Sequence, residues 1–493
     1  SKQINIVIDD SGSMFYDGKR ALDRWSFAKY SLEVFAALMG TNDSVDVYLM
    51  SDFNDGVTDA PPTVRLRGSD PDQSRVEQIR GMQLDGGGTP YAPVLKASGD
   101  LQRSTADEKW LVILTDGKFQ DASGADIAAS RVKDELETYI SDNPGTKVAI
   151  LAVGSDAASI PGDPSRGITS VRAATSRDLL TRMADLSNLI FERTLAKDAG
   201  STWATDIPTK EVVVFAQGRD VQVQAAQTPE GSKAPQSLVT VQWSENGPAD
   251  FDGTPVPAVP DKSLQGQLAK YERLPKGQIS FDISNPDAVV QVFYKPDVQF
   301  GAILRDGQGN ELNAEDEMRS GTYALDYGFF DSNCQRINSK LLGDVQYSAT
   351  VTQNGEVVAD NVQPQDTIEL NDGAVTFNMR ANFLENLSSS VEITRTALPP
   401  VSNPVVSVGR TSFPVSKLNE FPSADAAAPI GLIVEEHKGE AVSRRDLTAD
   451  EWADFDPQAV KFESASNLEF RLTKGEQIGK VYLSPRAPSG DVY

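Results

Sequence analysis

Ile4-Asn5-Ile6-Val7-Ile8-Asp9-Asp10-Ser11-Gly12-Ser13-Met14 is the stretch on which the reading of this chain turns. It opens as an apolar run fit for a buried strand. It then breaks into an Asp-x-Ser-x-Ser pattern, which puts Asp9, Ser11 and Ser13 at the strand's C-terminal end. In an open α/β sheet, ligands bind outside the carboxyl ends of the strands. Oxygen side chains gathered there suit a hard cation such as Mg²⁺. An Asp/Ser-rich turn that only caps a helix reads the same way, so the decision needs other parts of the chain.

Two later loops supply it. Leu84-Asp85-Gly86-Gly87-Gly88-Thr89-Pro90 precedes a helix-compatible segment at 91–101. Its glycines let the backbone approach a ligand closely, and Thr89 stands just before a proline suited to a first helical turn. Trp110-Leu111-Val112-Ile113-Leu114-Thr115-Asp116-Gly117 is another buried strand, and it delivers Asp116 at its end.

Taken together, Asp9, Ser11 and Ser13, then Thr89, then Asp116 resemble the von Willebrand factor type A domain with a complete metal-ion-dependent adhesion site, in the family's order and over about the first 195 residues. The resemblance implies a divalent cation held by these five residues, Mg²⁺ before Mn²⁺ or Ca²⁺. It implies direct contact from the serines, contact through water from the aspartates, and a threonine that joins in the ligand-bound form. It also implies a protein partner that presents an Asp or Glu to the open metal position. Asp10 and Asp17 stand close by; a second cation site and ordinary exposed loop carboxylates are both open, the latter far commoner. Asp52 is either an outer partner of the site or a surface cap.

The surrounding pattern agrees with an α/β domain at 1–198. Strand-like runs at 4–8, 45–50, 109–114 and 147–153 alternate with helical periodicity at 22–39, 76–82, 125–140 and 179–195, and 63–66 reads as a hairpin partner. Such alternation predicts a doubly wound, mostly parallel sheet. Residues 22–39 carry one apolar stripe, as a surface helix does.

After about Asp198 helical periodicity nearly vanishes. Short strand runs at 212–215, 221–224, 239–243, 279–283 and 289–294 predict a β-rich domain over 199–297, with a Pro- and Gly-rich loop at 246–260. Seven more runs between 300 and 394 predict an antiparallel sandwich at 298–397, with Asn354-Gly355 as its clearest hairpin turn. By pattern alone it is similar to the immunoglobulin-like modules of bacterial surface proteins. Leu398-Pro399-Pro400 marks a further boundary. A third β-rich unit is expected at 398–493, with strands at 430–435, 460–462, 468–472 and 480–483 and a short helix at 448–455 that turns Trp452 to its core. The expected architecture is thus multidomain, an α/β domain followed by all-β sandwich-like domains acting as a rigid extension.

The 493 residues carry 71 acidic and 46 basic side chains, a formal net charge of -25. That argues against nucleic acid, whose binding needs a basic surface, and against anionic membranes. No run of about 20 apolar residues is present to span a bilayer as a helix. One cysteine, Cys334, allows no intrachain disulfide and reads as a small buried apolar residue. The single histidine, His437, completes no Ser-His-Asp set, and no P-loop occurs. The expected function is a non-enzymatic, metal-dependent adhesion module on a β stalk. A regulatory or scaffolding subunit of a larger assembly, and more remotely a hydrolase in a β domain, are the alternatives. The abrupt start on a core strand and the linker-like end suggest a piece of a secreted or membrane-anchored cell-surface protein, with cytoplasm left open.

Overall fold

The protein is described here from a computed structural model, which covers residues 1–154, 160–244, 250–251, 254–255, 264–384 and 387–399, and strand backbones between 405 and 482. Six strands build the first sheet: β1 (Lys2–Ile8), β2 (Ser44–Leu49), β3 (Val64–Arg67), β4 (Glu108–Thr115), β5 (Thr146–Val153) and β6 (Ile168–Ala173). Their order is β3-β2-β1-β4-β5-β6. Only the β2–β3 pair is antiparallel. The helices are α1 (Arg24–Ala37), α2 (Asp72–Arg80), α3 (Ala92–Arg103), α4 (Ala129–Asp142) and α5 (Ser176–Phe191). The expected doubly wound, mostly parallel sheet is the fold observed.

Strand periodicity divides the core in two. Ile4, Ile6, Ile8, Val112 and Leu114 face one side with α1, α2 and α5. Val7, Leu111, Ile113, Val148 and Ile150 face the other with α3 and α4. Both faces are covered by helices, which is why these strands read as continuous apolar runs and not as alternation. The chain leaves β1 toward β2 and later enters β4 on β1's other side. The order therefore reverses between β1 and β4, the switch point at which open α/β sheets bind ligands.

Two elements differ from expectation. Strand β6 (Ile-Thr-Ser-Val-Arg-Ala) was not anticipated, because its middle residues are only half-buried at a sheet edge. Helix α1 is not a surface amphipath: every residue after Arg24 is buried, including Lys29 and Glu33. Its outer side is covered by the β structure that follows. That structure comprises β7 (Thr194–Leu195), β8 (Thr202–Thr205), β9 (Thr209–Gln217), β10 (Val223–Thr228), β11 (Gly231–Lys233), β12 (Ser237–Gln242), the hairpin β13 (Asp250–Phe251) and β14 (Thr254–Pro255), β15 (Gln265–Leu274), β16 (Gly277–Ile283) and β17 (Val289–Pro296).

Sheets β12-β15-β9-β17-β7 and β11-β10-β16-β8 enclose a core of Trp203, Val212, Val214, Tyr271 and Phe281. The opposite face of the five-stranded sheet, with Val213, Phe215, Val239, Val241 and Phe293, merges with the core of α1 and α5. Residues 1–298, with 338–344 and 383–387, accordingly form one compact unit.

The polar contacts across this junction are specific. Lys29 donates to the carbonyls of Arg80 at 3.0 Å and Met82 at 3.2 Å. Arg80 donates to Glu33 at 2.7 Å and to the Thr240 carbonyl at 3.1 Å, and Gln242 N–H approaches Glu33 at 3.4 Å. The other Glu33 oxygen, Oε2, has no hydrogen-bond partner. Burial pushes the Glu33 pKa up to about 7 against the pull of Arg80, and burial pushes Lys29 down to about 8. A carboxyl with a raised folded pKa holds its proton more tightly when folded. Its stabilising effect is therefore full below the unfolded pKa near 4.5 and is lost as pH rises toward 7. The expected result is that Glu33→Gln flattens this part of the pH–stability curve, measured by chemical denaturation between pH 4.5 and 8. An unchanged slope would mean that Glu33 is ionised throughout.

In the second unit, 299–337, 345–382 and 388–493, the regular elements among the described residues are β-strands, as the strand runs predicted. Its sandwich pairs a four-stranded sheet, built on Gln299–Asp306 and Gly321–Phe330, with a five-stranded one built on Gln346–Gln353, Gly373–Phe383 and Leu387–Leu398. The Asn354-Gly355 turn joins Gln346–Gln353 to Glu356–Ala359 with both turn residues at positive φ, the conformation a tight hairpin demands. Cys334, expected in a core, is instead exposed in a turn. It sits at φ 57°, and Asp331 Oδ1 accepts from the N–H groups of Asn333 and Gln335 around it. Turn geometry, not packing, sets its place. Beyond 400, strands Ile430–Lys438, Asn467–Lys474 and Gln477–Tyr482 match three of the expected runs. The strand at 460–462 and the helix with Trp452 lie outside the described residues. Among the described residues no helix is long and apolar enough to cross a membrane.

Candidate metal centre

Parallel pairing of β1 with β4 brings Asp9 beside Asp116. Asp9 N–H donates to the Leu114 carbonyl at 2.9 Å, one last ladder bond past the strand. The Asp9 carboxylate is fully buried and accepts three hydrogen bonds. Oδ1 takes Ser11 N–H at 2.9 Å, and Oδ2 takes the Thr115 hydroxyl at 2.8 Å and Asp116 N–H at 3.3 Å. The chain then turns through Gly12–Met14, a single 3-10 turn that presents both serines on one side. The Ser11 and Ser13 hydroxyl oxygens are 3.1 Å apart, and Ser13 donates to Asp116 Oδ1 at 2.8 Å.

Thr89 arrives on the third loop. Its carbonyl accepts from Gln120 N–H at 2.9 Å, and its own N–H donates to the Gln120 side chain at 3.3 Å. A methyl group added at Gly117 would stand 3.7 Å from the Thr89 hydroxyl, so that hydroxyl lies over the Asp116-Gly117 turn. Gly87, at φ 105°, lets the loop pass beside Gly12, whose N–H donates to the Gly87 carbonyl at 3.4 Å. A Cβ at Gly87 would strike the Asn54 side chain.

The structure thus brings Asp9, Ser11, Ser13 and Asp116 into one bonded cluster and sets Thr89 against its edge. The neighbouring acids do other work. Asp10 is buried and accepts from Ser51 N–H at 2.8 Å and Asp85 N–H at 3.4 Å, tying the three loops together. Asp17 closes a local turn with Lys19 and Arg20, and Asp52 accepts from the Thr63 hydroxyl.

One residue of the cluster carried no motif. Arg24, the first residue of α1, donates to Asp116 Oδ2 at 2.8 Å, where the Asp116 side chain is wholly inaccessible to solvent. A cation at a helix N-terminus opposes the helix dipole. That misplacement in sequence is the signal that could have marked it as held by a tertiary partner.

The donor set fits a hard divalent cation. Three neutral hydroxyls and two carboxylates are all oxygen donors, the class Mg²⁺, Mn²⁺ and Ca²⁺ select. Burial, and then the nearby Asp116 charge, push the Asp9 pKa above the usual carboxylate range. Two buried carboxylates stand together with one guanidinium, which is bonded to Asp116, and a bound cation would ease the crowding of their charge. Beside Thr89 a groove of about 1000 Å³ opens between the 53–58 loop, the start of α3 and α4. It holds the exposed side chains of Leu95 and Val57, with Asp121, Asp134 and Glu135 along its wall.

No family model matches the chain. No curated protein matches it either. Among solved structures it is similar to a von Willebrand factor type A protein from Catenulispora acidiphila, at 10% identity and TM-score 0.28 over 81% of this chain and 66% of that one. It is also similar to the open conformation of the pilus adhesin SpaC from Lactobacillus rhamnosus GG, at 10% identity and TM-score 0.28 over 96% and 80%. The von Willebrand factor domain of the type V pili tip protein Mfa5 from Porphyromonas gingivalis aligns at 11% identity and TM-score 0.28 over 38% and 94%. At these scores the fold assignment rests on the sheet order and register of the chain itself: the mostly parallel, doubly wound arrangement that the von Willebrand factor type A resemblance implied, followed by the β structure that the strand runs predicted.

Proposed function

We propose that this chain is a metal-dependent adhesion module, working at a cell surface and without a catalytic step, which recognises an acidic side chain of a protein partner. The observation that carries the reading is the convergence of Ser11, Ser13, Thr89, Asp9 and Asp116 at the β1/β4 switch point. A divalent cation bound there would offer a partner carboxylate an electron-poor oxygen-seeking centre. Ser11, Ser13 and Thr89 contribute hydroxyls without charge, so Asp9 and Asp116 are the only formal counter-charges to the cation among the five residues. Asp9 holds the Ser11 backbone and the Asp116 backbone at fixed positions, so the donor set is preorganised. On so acidic a protein an acidic partner would be repelled without the cation; the site reverses the local sign. The groove beside Thr89 offers apolar contact to whatever flanks that carboxylate.

The test is selection from a displayed library of Asp- and Glu-containing peptide loops in Mg²⁺. Captured peptides are expected to lose binding in EDTA and when their acid is changed to its amide. Thr89→Ala is expected to weaken the peptide about tenfold while changing metal affinity about threefold or less, because the von Willebrand factor type A resemblance implies a threonine that joins the metal in the ligand-bound form. Peptide binding that persists in EDTA would place recognition elsewhere on the chain.

A further inference from the structure

Arg24 has no part in the motif, yet it is the only cation in contact with the cluster among the described residues. Its Nη1 donates to Asp116 Oδ2 at 2.8 Å and reaches the Ser13 carbonyl at 3.5 Å. Its guanidinium is seated against Gly154, just past β5, where φ is 99° and an added Cβ would stand 2.7 Å from Nη2. One side chain therefore spans the loop ends after β1, β4 and β5. Ser13 already occupies Asp116 Oδ1, so both oxygens of that carboxylate are engaged by the protein.

We infer that Arg24 is a specificity-determining residue which makes the loaded site demand an anionic ligand. The inference rests on the metal-binding reading above. Asp9 and Asp116 alone would balance a divalent cation, and an incoming carboxylate would then make the site negative. Arg24 neutralises Asp116 beforehand. With both carboxylates ionised around the cation, the loaded cluster then carries one positive charge, which a partner carboxylate cancels. Asp10, the other buried carboxylate nearby, points its oxygens at Ser51 and Asp85 N–H groups and is not paired with Arg24. The same guanidinium repels the metal itself, so Arg24 acts on metal and anion with opposite signs. A residue that served only to brace the loops would weaken both when removed.

The test compares wild type, Arg24→Gln and Arg24→Lys in the full chain. Calorimetric titration with Mg²⁺ or Mn²⁺, with no partner present, reads metal affinity. Acetate is then titrated into the Mn²⁺-loaded protein as the probe anion, read by water-proton relaxation. Arg24→Gln keeps a hydrogen bond to Asp116 and removes the charge. It is expected to bind metal about tenfold more tightly and acetate about tenfold more weakly, the size of one like or unlike charge in a partly buried site. Arg24→Lys restores the charge and is expected to move both values back toward wild type. Metal affinity that falls or stays level in Arg24→Gln, in a protein that melts as wild type does, overturns the inference and leaves the adhesion reading standing. A wild type that takes up no divalent cation overturns both.

Discussion

Replacing Asp9 with alanine is expected to abolish divalent-cation binding, by more than about a hundredfold, although four of the five proposed ligands remain. The reason is that Asp9 does two jobs. It supplies one of the two carboxylate charges, and it is the shared acceptor for Ser11 N–H, the Thr115 hydroxyl and Asp116 N–H. Without it, three buried donors lose their acceptor, at about 1–3 kcal/mol for each that finds no other. The loss is partly offset because a costly buried charge disappears as well. Asp9→Asn keeps the shape, but both Asp9 oxygens accept hydrogen bonds, so one amide NH₂ must face a donor.

The two effects separate in a melting experiment with and without metal. A site filled at 100 times its dissociation constant stabilises the folded state by about 2.7 kcal/mol. Wild type is therefore expected to melt higher in Mg²⁺ or Mn²⁺ than in EDTA, and Asp9→Ala to melt at one temperature in both. An equal rise in the variant would remove the ion from this cluster.

What made this centre legible in sequence was the abruptness of its strand ends. Apolar runs that stop at Asp9 and Asp116 are hard to read as anything but buried strands with polar tips, and Pro90 fixes where the third loop must turn. What stayed hidden depends on partners far away in sequence. Arg24 meets Asp116 across 92 positions, and an arginine in the first turn of an apolar stripe looks like a solvated helix start. Lys29 and Glu33 on α1 look like the wet side of an amphipathic helix. Glu33 is buried where β12, some 200 residues later, lies over α1, with Gln242 N–H on its carboxylate and Val239 and Val241 in the shared core, and Lys29 is buried with its ammonium on the Arg80 and Met82 carbonyls at the end of α2. Local periodicity carries no information about a second layer supplied by another part of the chain, so the helix was found and its surroundings were not. Strand β6 escaped for a related reason: as the edge strand of its sheet it keeps polar residues that dilute the run.

That second layer is held by a residue no motif marked. Arg75, on α2, is fully buried. Its guanidinium donates to the carbonyls of Ala36 at 3.1 Å, Gly68 at 3.3 Å and Asp70, and it pairs with Asp72. Gly68 is packed so closely on the Gly40 carbonyl that no Cβ would fit. Asp72 in turn accepts from Ser237 on β12 and pairs with Lys270 on β15 at 3.2 Å, and Lys270 also donates to the Met39 carbonyl at 3.3 Å. Burial alone would raise the Asp72 pKa; Lys270, Ser237 and Arg75 outweigh it and hold it below the usual value. Arg75→Ala would strip donors from four carbonyls, that of Arg67 at 3.5 Å included, weaken the compensation of a half-buried carboxylate and leave a cavity at once. The expected cost is about 3–5 kcal/mol, the range for removing one partner of a buried ion pair, read as a fall in the first unfolding transition by calorimetry. Arg75→Lys is expected to recover only part, since an ammonium cannot reproduce the planar fork that reaches several carbonyls together. Metal affinity well below the transition is expected to stay within about twofold, because Arg75 touches none of the five ligands. A stability loss under about 1 kcal/mol would mean that the apolar contacts of α1 with β12 hold the two layers together without this polar ring.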